Sequence, residues 1–206
     1  MIAIIDYGVG NLFSLKSSFK AINEEAIVTS DPEIIKKADR IILPGVGAFA
    51  DAARKLKESG VQEILLEEVR NGKPMLGICL GMQLLLEKSY EYGEHKGLGL
   101  IKGSVKPISN VIPKDYKIPQ IGWNALKFDN GKHPLFKYIE EGDYVYFVHS
   151  YYATGCAEDT IASDEYGAWL TAAVAHKNVL GTQFHPEKSG DVGLKILKAF
   201  CEFEVK

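Results

Sequence analysis

Four short runs in the first eighty residues, Met1–Ile5, Ala26–Thr29, Arg40–Leu43 and Lys73–Ile78, are apolar with almost no alternation. A strand with one wet face alternates apolar and polar side chains, whereas a strand buried on both faces stays apolar throughout. The stretches between these runs carry helical spacing. Leu12, Leu15, Phe19 and Ile22 recur at intervals of three and four over Asn11–Ile22. Ser30-Asp31-Pro32-Glu33 reads as a helix start, with proline tolerated in the first turn and Glu33 placed for a capping box. Helical patterns follow over Ala50–Lys57, Val61–Asn71 (closed by Gly72) and Gly81–Lys88. Strands buried on both sides, alternating with helices, predict a largely parallel sheet with helices on both faces.

From Gly97 to about Thr171 the texture changes, and strand-like segments sit among prolines and glycines. Gly99–Val105, Ile121–Phe128, Tyr144–Tyr152 and Thr160–Ala162 read as a mixed or antiparallel extension of that sheet. Ala172–His176 and Val179–Gln183 read as a hairpin around Lys177-Asn178, and Asp191–Phe203 as a closing helix. No repeat or linker interrupts the chain, so residues 1–206 are expected to form one α/β domain.

Bulk properties exclude several classes of function. The net charge is −3 with 25% charged residues, and no basic stripe marks a nucleic-acid surface. The longest apolar runs, Arg40–Pro44 and Met75–Leu80, are far too short to span a bilayer, so no membrane association is expected. The first residues read as a buried strand and not as a signal peptide. Three scattered cysteines do not make a disulfide framework and fit a cytoplasmic location. No nucleotide fingerprint or metal-ligand spacing appears, so no cofactor and no metal are expected.

The chemistry gathers around Gly77-Ile78-Cys79-Leu80-Gly81, between an apolar strand and a helix. This is the cysteine counterpart of the nucleophile elbow, in which both glycines let strand and helix approach through a very tight turn. The helix N-terminus behind Cys79 favours thiolate over thiol, and the N–H of Leu80 faces the site of a developing oxyanion. Cys79 could equally be a buried structural cysteine, since free cysteine is among the most buried residue types. A nucleophilic thiol gains from a base and from a group that orients the base. His185, in Phe184-His185-Pro186-Glu187, is the strongest candidate, with Glu187 as its orienter. His95, His133 and His176 read as ordinary satisfied histidines, and His149 as a residue that lines the pocket without acting as the base. Cys156 and Cys201 read as packing residues.

Gly77-Ile78-Cys79-Leu80-Gly81-Met82-Gln83 and Phe184-His185-Pro186-Glu187 together resemble the class I, or triad, glutamine amidotransferase family. The resemblance extends from Ile2 to the last helix and implies a flavodoxin-like fold. It also implies a triad of Cys79, His185 and Glu187 acting on glutamine, and an oxyanion hole formed by Leu80 with Val46 and Gly47. It implies substrate contacts from Gly45, Gln83 and the Ser150-Tyr151 backbone, beside His149. Taken singly, Gln83 reads as an exposed helical residue, and Gly45 and Gly47 as what any strand-to-helix turn uses.

Asp6-Tyr7-Gly8-Val9-Gly10-Asn11-Leu12, Leu43-Pro44-Gly45-Val46-Gly47-Ala48-Phe49, Ile121-Gly122-Trp123-Asn124 and His185-Pro186-Glu187-Lys188-Ser189-Gly190 narrow the resemblance. They are similar to the branch that supplies the glutaminase subunits of imidazole glycerol phosphate synthases. Gln120 departs from that branch, which commonly has histidine there, and puts detail at the partner-facing edge in question. The branch implies a heterodimer with a barrel-shaped cyclase that uses the ammonia in histidine biosynthesis. Asn11, Trp123, Asn124, Tyr146 and Lys188 are the implied interface residues. The alternatives are an amidotransferase of another pathway such as nonulosonic-acid or sugar amination, a non-catalytic binding module, and a cysteine peptidase or γ-glutamyl hydrolase.

Overall fold

Each of the four early runs becomes a strand: β1 (Ile2–Ile5), β2 (Ala26–Thr29), β3 (Arg40–Leu43) and β4 (Met75–Ile78). The helices between them are α1 (Leu12–Ala21), α2 (Pro32–Lys37), α3 (Phe49–Glu58) and α4 (Val61–Arg70) in a computed structural model that describes residues 1–204. After β4 come α5 (Leu80–Leu85), β5 (Leu86–Ser89), β6 (His95–Lys96) and β7 (Ile101–Pro107). Then follow β8 (Gln120–Ala125), β9 (Lys127–Phe128), β10 (Tyr144–His149) and β11 (Tyr151–Thr154). The chain ends through β12 (Thr160–Glu165), β13 (Trp169–His176), β14 (Val179–Thr182) and α6 (Gly190–Cys201).

The main sheet has the order β2-β1-β3-β4-β14-β13-β12-β9. It is parallel from β2 through β14 and antiparallel beyond, as the sequence pattern predicts. Alternate residues of the same strands feed two cores. Ala3, Ile5, Ile41 and Leu43 pack with Phe49, Leu56 and Leu65 on one face. Ile2, Ile4, Ile42 and Ile78 pack with Leu15, Phe19, Leu197 and Phe200 on the other. Two apolar faces per strand are what removed the polar alternation from the sequence.

Three expectations are corrected. The helix expected over Gly81–Lys88 stops at Leu85, and Leu86 starts a strand. The carbonyls of Leu84, Leu85 and Leu86 accept N–H groups from Leu98, Leu100 and Gly99 at 2.8, 2.9 and 3.1 Å. Those tertiary bonds take over the acceptors that another helical turn would use. The run Tyr144–Tyr152 is two strands, because β10 pairs with β8 while β11 pairs with β7 in a different sheet. Gly99–Val105 and most of Ile121–Phe128 likewise belong to these two small sheets, and only β9, β12 and β13 extend the main one. Ser150 is the seam, and its carbonyl accepts the Ile108 N–H at 3.0 Å. No helix among the described residues is long and apolar enough to cross a membrane.

Candidate active site

Cys79 follows the last residue of β4 and precedes the first of α5, with φ 54° and ψ −111°. A non-glycine residue at positive φ costs of order 1–3 kcal/mol and persists only when its surroundings impose it. Both neighbouring glycines do so. A Cβ on Gly77 would lie 2.7 Å from the Gly81 carbonyl oxygen, and one on Gly81 would run into the Leu43 carbonyl. Strand and helix therefore meet at backbone contact, and the thiol is pushed out at the carboxyl edge of the parallel sheet, where α/β proteins bind ligands. The N–H of Leu80, first in the helix, has no carbonyl one turn behind it to bond.

β14 lies beside β4, with Thr182 opposite Ile78 and the Cys79 N–H donating to the Thr182 carbonyl at 2.7 Å. This register delivers His185 to the same edge, three residues beyond Thr182. Pro186 opens a short 3-10 turn that carries Glu187 back towards the ring. His185 Nδ1 donates to Glu187 Oε1 at 2.8 Å, and both side chains are only 2% exposed. Burial opposes charge on the ring, yet the neighbouring Cys79 sulfur and Glu187 carboxylate outweigh it and carry its pKa up to about 9. His185 Nε2 is buried, and the neighbouring Cys79 sulfur is the partner that raises the ring's pKa from that side.

A cavity of about 620 Å³ opens over the thiol, a volume usual for small-molecule sites. Its wall includes Val46, Gly47, Cys79, Leu80, Gln83, His149, Ser150, Tyr151, His185 and Lys188. The expected catalytic, oxyanion and substrate residues thus meet around one space, except Glu187, which stands behind the His185 ring, and Gly45. Gly45 is absent from the lining, and a Cβ there would lie 2.7 Å from the Gly81 nitrogen, so it packs the loop onto the elbow helix. Gln83 is buried and not an exposed helical residue; its Nε2 donates to the Tyr151 carbonyl at 3.1 Å and to Gln183 Oε1 at 3.0 Å. His149 Nδ1 donates to the same Tyr151 carbonyl at 2.8 Å. Burial holds the His149 ring down to about 4, with His185 adding to it and the Tyr151 carbonyl opposing, so it is neutral at pH 7 and a poor base.

Sequence reasoning missed three residues here. Glu91, buried, accepts the Phe49 N–H at 2.6 Å and lines the cavity with a carboxylate. Tyr7, buried, donates to the Pro44 carbonyl at 2.6 Å and so ties down the start of the Pro44–Gly47 loop. Burial first, and the Cys79 charge second, push the Tyr7 phenol well above its ordinary pKa, so it stays a donor. Gln183 touches the sulfur itself. The Tyr7 motif was visible in the sequence, but nothing local connects it to Pro44, thirty-seven positions on.

At the lip of the cavity, Trp123 packs edge-on against Tyr146 with centroids 6.0 Å apart, and the Lys188 ammonium stands 5.9 Å from the Tyr146 ring. Trp123 is 51% exposed and Ile121 61%, an apolar patch on β8. Asn11 and Asn124 are engaged within the chain: Asn11 caps α1 by accepting the Ser14 N–H at 3.4 Å, and Asn124 donates to the Glu165 carbonyl at 2.9 Å. Gln120 is not at the surface; it is buried and donates to Asp164 Oδ2 at 2.7 Å. His133 accepts the Leu135 N–H and His176 pairs with Asp159, both away from the cavity. Cys156 and Cys201 are free, and no cluster able to hold a metal ion occurs among the described residues.

Among solved structures, a glutamine amidotransferase superposes with TM-score 0.74 at 19% identity, covering 98% of this chain and 100% of that one. The PurLQS structure from Thermotoga maritima superposes with TM-score 0.72 at 19% identity, covering 98% and 97%. Among sequences, the imidazole glycerol phosphate synthase subunit HisH of Wolinella succinogenes is 48% identical over 98% of this chain and 99% of its own length. The protein of the same name from Caldanaerobacter subterraneus is 51% identical over 98% of each. The family model described as glutamine amidotransferase class-I matches residues 3–202, and with an elbow cysteine sharing one cavity with the His185–Glu187 pair, the chain belongs to the class-I glutamine amidotransferase family.

Proposed function

We propose that this chain is the glutaminase subunit of an imidazole glycerol phosphate synthase, hydrolysing glutamine and passing the ammonia to a cyclase subunit. The observation that carries the chemistry is a thiol held at positive φ in a cavity whose wall also holds His185, itself locked to Glu187 at 2.8 Å. The near full-length relatives named for that synthase carry the choice of pathway.

The geometry supports the following steps. His185, whose pKa Cys79 and Glu187 raise, is basic enough to take the Cys79 proton on Nε2, leaving a thiolate beside an imidazolium. The thiolate adds to the glutamine carboxamide carbon, and the oxyanion is met by the Leu80 N–H and a donor from the Val46–Gly47 turn. His185 gives its Nε2 proton to the departing ammonia, leaving a γ-glutamyl thioester on Cys79. The neutral ring then takes a proton from water as it attacks, and collapse releases glutamate and restores the thiolate. Glu187 holds the ring through Nδ1 and stabilises its charge. Glu91 and the Ser150–Tyr151 backbone suit the zwitterionic end of glutamine, since a buried carboxylate attracts an ammonium.

The apolar patch of Ile121 and Trp123 beside Tyr146 and Lys188 supports a heterodimer face at the cavity lip, and residues 1–206 are read as one glutaminase domain. A cytoplasmic location accompanies this reading, supported by three free thiols. The test is glutamate release by the chain with a cyclase subunit and its nucleotide substrate. Activation by the loaded partner, lost in Cys79→Ala, is expected. Unchanged turnover in Cys79→Ala refutes the chemistry, and absence of activation refutes the pathway.

A further inference from the structure

We propose that Gln183 is a positioning residue that orients the Cys79 sulfur and couples it to the substrate-holding wall; the proposal rests on Cys79 being the nucleophile. The Gln183 side chain is fully buried, and its Nε2 donates to Cys79 Sγ at 3.7 Å, a distance ordinary for a sulfur acceptor. What makes it more than a filler is the state of its other end. Gln183 Oε1 accepts from Gln83 Nε2 at 3.0 Å, and the second hydrogen of that nitrogen goes to the Tyr151 carbonyl at 3.1 Å.

An amide has one acceptor end and one donor end. Because Gln83 occupies the acceptor end, the donor end of Gln183 has to face the sulfur; a rotated amide would oppose two NH₂ groups. Gln83 is fixed in turn, since both its hydrogens are committed, and its own oxygen is left for a ligand. A continuous path therefore runs from the Tyr151 carbonyl through Gln83 and Gln183 to the nucleophile. The backbone repeats the link, because the Cys79 N–H bonds to Thr182, the residue before Gln183. A neutral donor aimed at sulfur fixes the rotamer from which it attacks.

Hydrogen bonds to charged groups support a rate effect of about tenfold or more when removed. The experiment uses the full chain, alone and with its cyclase partner, as Gln183→Met, Gln83→Met and the double variant. Cys79 labelling by iodoacetamide is followed peptide by peptide in the isolated chain, alongside kcat and KM for glutamine in the pair and the thermal midpoint. In Gln183→Met, labelling and kcat are expected to fall about tenfold, with KM within about twofold. The double variant should label no more slowly than Gln183→Met, because Gln83 reaches the sulfur only through Gln183. Labelling and kcat within about twofold of the parent, or losses in labelling that multiply in the double variant, overturn the proposal. Should Gln183→Met not fold, Gln183→Asn, which keeps the amide but withdraws it by one methylene, is read by the same rates with the same expectation. Cys79→Ala separates the two ideas: retained turnover there removes the nucleophile, whereas its loss alongside an unaffected Gln183→Met removes only the role of Gln183.

Discussion

Replacing Asp164 with asparagine should stabilise the protein at alkaline pH and leave it unchanged in acid. Asp164 on β12 is fully buried, and its Oδ2 accepts from Gln120 Nε2 at 2.7 Å. Asp164 Oδ1 and Gln120 Oε1 are both buried without a partner. Burial raises the carboxyl pKa from 3.8 to about 7, opposed by the Gln120 hydrogen bond and assisted by the charge of Glu165. Since the folded pKa lies above the unfolded one, folding favours the protonated form. Stability from this group is complete below pH 3.8, declines as pH rises, and is gone above about 7. At about 1.4 kcal/mol per pH unit, ionised Asp164 costs roughly 4 kcal/mol at pH 8. Asparagine has no charge to desolvate, and its amide can donate to Gln120 Oε1 while still accepting from Gln120 Nε2. Asp164→Asn should therefore gain roughly 2–4 kcal/mol at pH 8, or about 5–15 °C in thermal midpoint for a chain of this size. Thermal unfolding of both proteins at pH 4, 6 and 8 decides the matter. A gain that does not grow with pH, or a loss at pH 8, refutes the reasoning.

Two further substitutions probe the site. Gly81→Ala should cost more than about 3 kcal/mol and remove catalysis, because the added methyl meets the Leu43 backbone and neither partner can rotate away; denaturant unfolding reads this, and a soluble variant of parental stability contradicts it. Glu187→Gln should keep the fold but lower kcat by about 10² or more, since a neutral amide no longer holds a charged imidazole; His185 should then titrate at lower pH by NMR, and an unmoved titration contradicts the assignment.

The parallel half of the fold was legible because its strands are short, apolar on both faces and separated by amphipathic helices. The antiparallel half was legible as strands but not as sheets. Nothing in Tyr144–Tyr152 announces a change of sheet at Ser150, since both halves keep strand character and the switch is made by distant partners, β8 and β7. The end of α5 was hidden for a similar reason: Leu84–Leu86 favour helix locally, and residues 98–100 take their carbonyls. For the site, Cys79 and His185 stood out because their chemistry needs particular neighbours in sequence, glycines for one and Pro-Glu for the other. Glu91, Tyr7 and Gln183 act through partners 42, 37 and 104 positions away, where no local pattern marks them.

The position of β14 also governs when the site comes into being. Strand β4 carries Cys79 to its edge in the first half of the chain, but its neighbour is Val179–Thr182, about a hundred residues later. Pairing over so long a separation closes a large loop and is slow compared with helix or hairpin formation. Until it happens, β4 is an open sheet edge and Cys79 has neither His185 beside it nor the carbonyl of Thr182 to hold its backbone. Cys79 therefore meets His185 late, through the same docking event that seals the middle of the sheet.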